Sequence, residues 1–118
     1  LLGGADRAKV MTIFNPAKPQ MPMRNTIFGI PKTWDFRIED VCASVREMVD
    51  RIREYVPGYQ LTVPPVIDRG IITTTVTVEG QGDFLPKYAG NLDIETSSAV
   101  KMAEMFAEKL LRERGELA

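Results

Sequence analysis

The sequence predicts an α+β fold: a two-layer sandwich in which two helices lie on one face of a mainly antiparallel sheet of four or more strands. Three observations predict it. Two stretches carry apolar residues at helical period, one run of β-branched residues alternates with a period of two, and shorter apolar runs end at proline, glycine or asparagine. The chain has 118 residues, 44% of them hydrophobic and 26% charged, which suits one domain with its own core.

Val10–Phe14 reads as a first strand stopped by Asn15-Pro16, because proline cannot donate to a sheet ladder. A proline-punctuated loop follows to Pro22, and Met23–Ile30 resumes as a second strand. Asp35 is placed to cap a helix whose apolar stripe is Ile38, Val41, Val45, Met48, Val49, Ile52 and Val56. Glu39 and Asp40 put negative charge at its start, and Pro57-Gly58 ends it.

Tyr59–Val63 is a short strand before Pro64-Pro65. Ile71–Val78 is the strongest strand signal. Ile72, Thr74, Val76 and Val78 share one face, and Ile71, Thr73, Thr75 and Thr77 the other. That threonine face is open to two readings, a wetted surface or an interface between sheets, since hydroxyls suit both. Glycine-punctuated loop sequence then leads through Phe84–Asn91 to a second helix from about Ser97 to Arg114. Its stripe is Val100, Ala103, Phe106, Ala107, Leu110 and Leu111.

Charge and composition exclude several classes of function. Fifteen basic and sixteen acidic residues give a net charge of −1, so no broad field attracts a nucleic-acid backbone. No apolar run reaches the ~20 residues of a membrane span, and the first residues lack the pattern of a signal peptide. With one cysteine and no histidine, no intrachain disulfide and no common transition-metal ligand set is available, and a reducing, cytoplasmic compartment is expected.

Cys42 is the only thiol, but Glu39 and Asp40 nearby disfavour a thiolate and no histidine can activate it, so packing is its expected role. Gly80-Gln81-Gly82 lacks the rest of a dinucleotide fingerprint, and Asp68, Asp83, Asp93 and Glu95 do not form an acid–base pair by spacing alone. The Asn15–Asn25 and Phe84–Asn91 loops sit at strand ends, a common place for binding residues, although asparagine also serves turns.

Three segments carry a family resemblance. The stretch from Asn15-Pro16-Ala17-Lys18-Pro19 through Met23-Arg24-Asn25-Thr26-Ile27 resembles the Asn-Pro-Ala…Met-Arg-Asp/Asn-Thr segment of the acylating acetaldehyde dehydrogenases of aromatic meta-cleavage pathways. Tyr55-Val56-Pro57-Gly58-Tyr59 resembles their Tyr-Val-Pro-Gly-Tyr junction. Val78-Glu79-Gly80, followed by Leu85-Pro86-Lys87-Tyr88-Ala89-Gly90-Asn91-Leu92-Asp93-Ile94, is similar to a third signature. The three occur in family order and span roughly residues 8–112. One departure is the short crossing from Thr62 to Ile71, where the family has a longer segment.

The resemblance implies a C-terminal substrate-side and dimerisation region, similar to the C-terminal domain of glyceraldehyde-3-phosphate dehydrogenase-like enzymes. A Rossmann domain and the nucleophilic cysteine would precede Leu1, and this chain alone would be inactive. The implied reaction converts acetaldehyde or a short aliphatic aldehyde, NAD and coenzyme A to acyl-CoA through a cysteine thioester. No catalytic residue is then expected in this chain. Asn25 would orient by hydrogen bond only, because an amide does not titrate. Asn91 would lie near the nicotinamide, and Leu92 would line the aldehyde passage. The implied partners are a second copy, held through the sheet, and a 4-hydroxy-2-oxoacid aldolase. No metal, nucleic acid or membrane is expected. The reading requires the Asn15–Asn25 and Phe84–Asn91 loops to share one end of the sheet. The alternative is a stand-alone module that binds a small molecule or dimerises.

Overall fold

A computed structural model describes residues 3–115. Its elements, in chain order, are β1 (Met23–Gly29), α1 (Ile38–Arg53), β2 (Tyr59–Asp68), β3 (Ile71–Val78) and α2 (Gly90–Glu113). The fold is α+β, with a sheet of three strands in the order β1-β3-β2, both pairs antiparallel.

The strand with the clearest alternation takes the centre because only a central strand must satisfy both of its backbone edges. Val78, Val76 and Thr74 are buried on one face of β3, with Val78 only 1% exposed. Across that face, Met23, Asn25 and Ile27 of β1 stand beside Val78, Val76 and Thr74. Val49 of α1 and Val56, just past its end, complete the buried apolar core. Helix α1 packs along β2, and the start of α2 meets β3.

The four-stranded expectation is corrected to three. Val10–Phe14 pairs with no strand, and Val10, Met11, Ile13 and Phe14 are each at least 75% exposed. Apolar, β-branched composition suits a strand, but a strand forms only where a neighbouring edge accepts its hydrogen bonds. β2 runs past its expected end at Val63, through Pro64-Pro65 to Asp68. The prolines are tolerated because β2 lies on the sheet's edge and its register slips between Leu61 and Val63 and between Val63 and Val66.

The crossing to β3 is a two-residue hairpin turn. Arg69 (φ 48°) and Gly70 (φ 78°) both take the left-handed region, as a type I′ connection requires, and Asp68 faces Ile71 across it. The short Thr62–Ile71 crossing is thus a continuous hairpin.

Asp35 does not cap α1. The N-cap position falls on Arg37, without a side-chain cap, and Glu39 and Asp40 occupy the first turn. The rings of Trp34 and Phe36 stack 5.7 Å apart on either side of Asp35, ahead of the helix start. Helix α2 begins at Gly90, seven residues before the expected Ser97, because its first turn is specified by contact with β3 and not by an apolar period. Its stripe was expected to cover the sheet. Instead Val100, Phe106 and Leu110 are more than half exposed, and neither helix packs substantially over β1.

On the other sheet face the threonines pair with each other. Thr26 and Thr75 hydroxyls lie 3.3 Å apart, and those of Thr62 and Thr77 lie 2.7 Å apart. Thr75 is only 8% exposed. The chain as a whole exposes 9,697 Å² with a radius of gyration of 17.2 Å. A compact monomer of this size would show ~6,400 Å² and ~13.5 Å. Exposed apolar residues on the α2 stripe, on β1 and in the Val10–Phe14 segment contribute to that excess.

Candidate functional site

The strand register gathers three sequence segments at one end of the sheet. Met23, Val78 and Tyr59 form a cross-strand row, Met23 facing Val78 from β1 and Tyr59 facing it from β2. The loop that delivers Met23, the turn that delivers Tyr59 and the loop that leaves Val78 therefore meet there. The condition that the Asn15–Asn25 and Phe84–Asn91 loops share an end is met by this register.

Two close approaches hold the end together. At Gly58 a Cβ would collide with the carbonyl oxygen of Glu79, whose N–H donates to the Gly58 carbonyl at 3.0 Å. At Gly90 a Cβ would collide with the carbonyl oxygen of Val78, so glycine seats the first turn of α2 directly on the end of β3. Arg53 Nε adds a bond of 2.8 Å to the Tyr59 carbonyl, tying the last turn of α1 to the start of β2.

The loop between β3 and α2 is bound to the helix it feeds. Gly80 N–H donates to the Lys87 carbonyl at 2.7 Å, and Gln81 N–H donates to Asp93 Oδ2 at 2.6 Å. Asp93 therefore ties a loop and places a carboxylate in the helix's first turn, where the orphan amides favour it. This role was not read from the sequence, although the spacing of Gly80 and Asp93 within the third motif carries its signal.

Asn25 lies on the buried-face side of β1 beside Val76, two pairs in from the Met23–Val78–Tyr59 row. Asn91 and Leu92 lie in the first turn of α2, whose Gly90 abuts Val78 on the same face. All three are exposed, Leu92 to 44%. Neither amide makes a hydrogen bond among the described residues, which leaves both available to a ligand or partner. Asn15 differs: its Oδ1 accepts from Ala17 N–H at 3.0 Å, the turn role open to it from sequence.

Tyr59 is half-buried in this row. Burial pushes its phenol pKa up from the ordinary value of 10.0, with a smaller push from Tyr55. No cluster of three or more potential metal ligands occurs among the described residues. The described helices include none long and apolar enough to cross a membrane.

The more evident concavity lies elsewhere. A shallow groove of about 430 Å³ runs between α1 and the far half of β2, past Ile38, Cys42, Arg46, Pro65 and Ile67. Its strand residues pair toward Ile72 and Thr73, the end opposite the three motifs. Cys42 Sγ donates to the Pro65 carbonyl at 3.4 Å, in keeping with a packing role for this thiol.

The uncovered apolar stripe of α2 and the exposed Ile27 and Phe28 of edge strand β1 mark a domain with surface suited to association. The chain belongs to the family described as prokaryotic acetaldehyde dehydrogenase, dimerisation, whose model matches residues 1–86. It is 51% identical over 112 residues to an acetaldehyde dehydrogenase of Carboxydothermus hydrogenoformans, covering 95% of this chain and 37% of that protein. An acetaldehyde dehydrogenase of Thermomicrobium roseum is 46% identical over 125 residues (99% and 41%). Acetaldehyde dehydrogenase 1 of Comamonas testosteroni is 46% identical over 121 residues (99% and 38%). The chain thus spans about two-fifths of the length of these relatives.

Two outcomes follow from this geometry. Gly90→Ala forces the start of α2 off β3 and is expected to cost about 2–4 kcal/mol of stability, measured by denaturant unfolding. An Asp93→Asn variant, which keeps an acceptor, should cost less than half as much. The raised Tyr59 pKa means that the folded state holds the phenolic proton more tightly than the unfolded state. Its contribution is complete below the unfolded value near 10 and is lost as pH rises through the folded value. Unfolding free energy should therefore fall more steeply above pH ~10 in the parent than in Tyr59→Phe, and an identical alkaline slope would exclude the effect.

Proposed function

We propose that this chain is the substrate-side and dimerisation part of an acylating acetaldehyde dehydrogenase, acting with NAD and coenzyme A. The observation that carries the reading is the meeting of three separate motif segments at one cross-strand row, Met23–Val78–Tyr59. Its family and its similarity to proteins named acetaldehyde dehydrogenase supply the reaction class. In this reading the domain is of the glyceraldehyde-3-phosphate dehydrogenase-like kind, and the thiolate nucleophile and the dinucleotide-binding domain lie outside these residues.

The residues present fit a wall of a cofactor site and no more. Asn91 and the free amides at the start of α2 offer donors suited to a carboxamide or another polar edge, but no glycine-rich phosphate cradle accompanies them. NAD, when bound, accepts hydride, and coenzyme A carries off the acyl group. The chain's own part is to orient. Asn25 offers an amide that can hold a carbonyl oxygen or a thiol in place without exchanging a proton. Leu92 gives the aldehyde an apolar surface beside it.

A second copy is the partner this reading assigns to the bare sheet face. Thr26 with Thr75 and Thr62 with Thr77 share one hydroxyl hydrogen bond each, which lowers the cost of dehydrating that face and leaves one O–H of each pair for an acceptor on the partner. Phe28, 68% exposed and paired with Thr73, adds apolar area to it. The excess of about 3,300 Å² over a compact monomer is ample beside the ~800 Å² per partner of a standard interface. A 4-hydroxy-2-oxoacid aldolase partner and a cytoplasmic location complete the reading on resemblance alone.

In the complete enzyme, Asn91→Ala should raise KM for NAD about tenfold, the loss of one hydrogen bond, with a smaller change in kcat. Asn25→Ala should lower kcat with KM for NAD unchanged. The 118-residue chain by itself should reduce no NAD in the presence of acetaldehyde and coenzyme A. Wild-type kinetics in both variants would remove these residues from the site.

A further inference from the structure

The segment Val10–Phe14 combines the composition of a strand buried on both faces with exposure on both faces. Val10 is 87%, Ile13 80% and Phe14 89% exposed. Short runs this rich in apolar and β-branched residues, here Val10, Met11, Thr12, Ile13 and Phe14, suit a strand within a sheet. A sheet edge in this molecule has the complementary deficit.

The two edges are not equivalent. Along the outer side of β2, Pro64 and Pro65 remove donors and the register slips twice, which blunts that edge against a further strand. β1 has neither device. Met23–Gly29 contains no proline, pairs regularly with β3 over seven residues, and leaves Ile27 51% and Phe28 68% exposed. Among the described residues, β1 is an edge strand with no sheet partner on its outer side.

The geometry points to strand exchange between two copies: Val10–Phe14 of each chain adds to the outer edge of β1 of the other. This rests on the dimer reading above and specifies how part of the interface is made. A second copy is the fitting occupant because Val10–Phe14 and β1 both fall within the residues matched by the dimerisation family, 1–86. The exchange is reciprocal, as two-fold symmetry requires, and each three-stranded sheet gains a fourth strand. Main-chain hydrogen bonds supply the attachment. Phe14 and Ile13 gain cover on both faces by lying beside Ile27 and Phe28.

Sedimentation equilibrium of the 118-residue chain and of Ile13→Pro, with peptide-resolved hydrogen exchange above and below the dimer Kd, tests the exchange. Wild type should dimerise, and residues 10–14 and 23–29 should gain amide protection together as the dimer forms. Ile13→Pro removes a ladder donor and should raise the dimer Kd about tenfold or more. The monomer's circular dichroism should stay unchanged, because Ile13 lies in no helix or strand. A wild-type dimer whose 10–14 amides exchange at the same rate at every concentration, with Ile13→Pro associating normally, would overturn strand exchange and leave the dimer on the sheet face alone. Protection of 10–14 in the monomer would show pairing within one chain and overturn it equally. A wild-type chain that stays monomeric removes the dimer reading itself.

Discussion

Every strand pairing in this sheet involves β3. It hydrogen-bonds to β1 on one side and β2 on the other, so the register of Ile71–Val78 sets where residues from distant parts of the chain come to rest. Val78 is the hinge of that arrangement. It sits between Met23 and Tyr59, is almost wholly buried, and supports the first turn of α2 through the missing side chain of Gly90. A one-residue slip of β3 would turn its core face outward and separate the three motif segments.

The motif end and the core are consequently one unit. The same contacts that bury Val76 and Val78 bring the Asn25 strand and the Asn91 helix turn to one face. Gly58 and Gly90 let backbone meet backbone there, and Asp93 fastens the intervening loop. Substitutions near this end thus act on folding as well as on any ligand. The groove beside Cys42 is separate from it, and its thiol is engaged with the Pro65 carbonyl.

Surface dominates the rest. With a radius of gyration of 17.2 Å the molecule is more extended than its length requires, and much of what it exposes is apolar. Helix α2 has an uncovered stripe, β1 exposes Ile27 and Phe28 on its two faces, and the hydroxyls of the threonine face pair only in part. Such surface is costly to leave in water, and a domain that retains so much of it is organised around association.

The helices' existence, the β3 strand and its two faces were legible in the sequence because each depends on periodicity, which is local. The family motifs were legible because they are contiguous. Where α1 and α2 begin was not: Asp35 has capping chemistry but the chain enters the helix at Arg37, and α2 starts at Gly90 by contact with a strand end. Val10–Phe14 shows the same limit. Its residues prefer a strand, yet strand formation needs a partner edge, and composition cannot say whether one is within reach. Thus the sequence by itself determined the elements with internal hydrogen bonds or an internal repeat, together with the chemical identity of Asn25, Asn91 and Leu92. Only the tertiary structure decided which strands pair, which faces stay bare and that those three residues share one end of the sheet, because cross-strand register is a property of two segments at once.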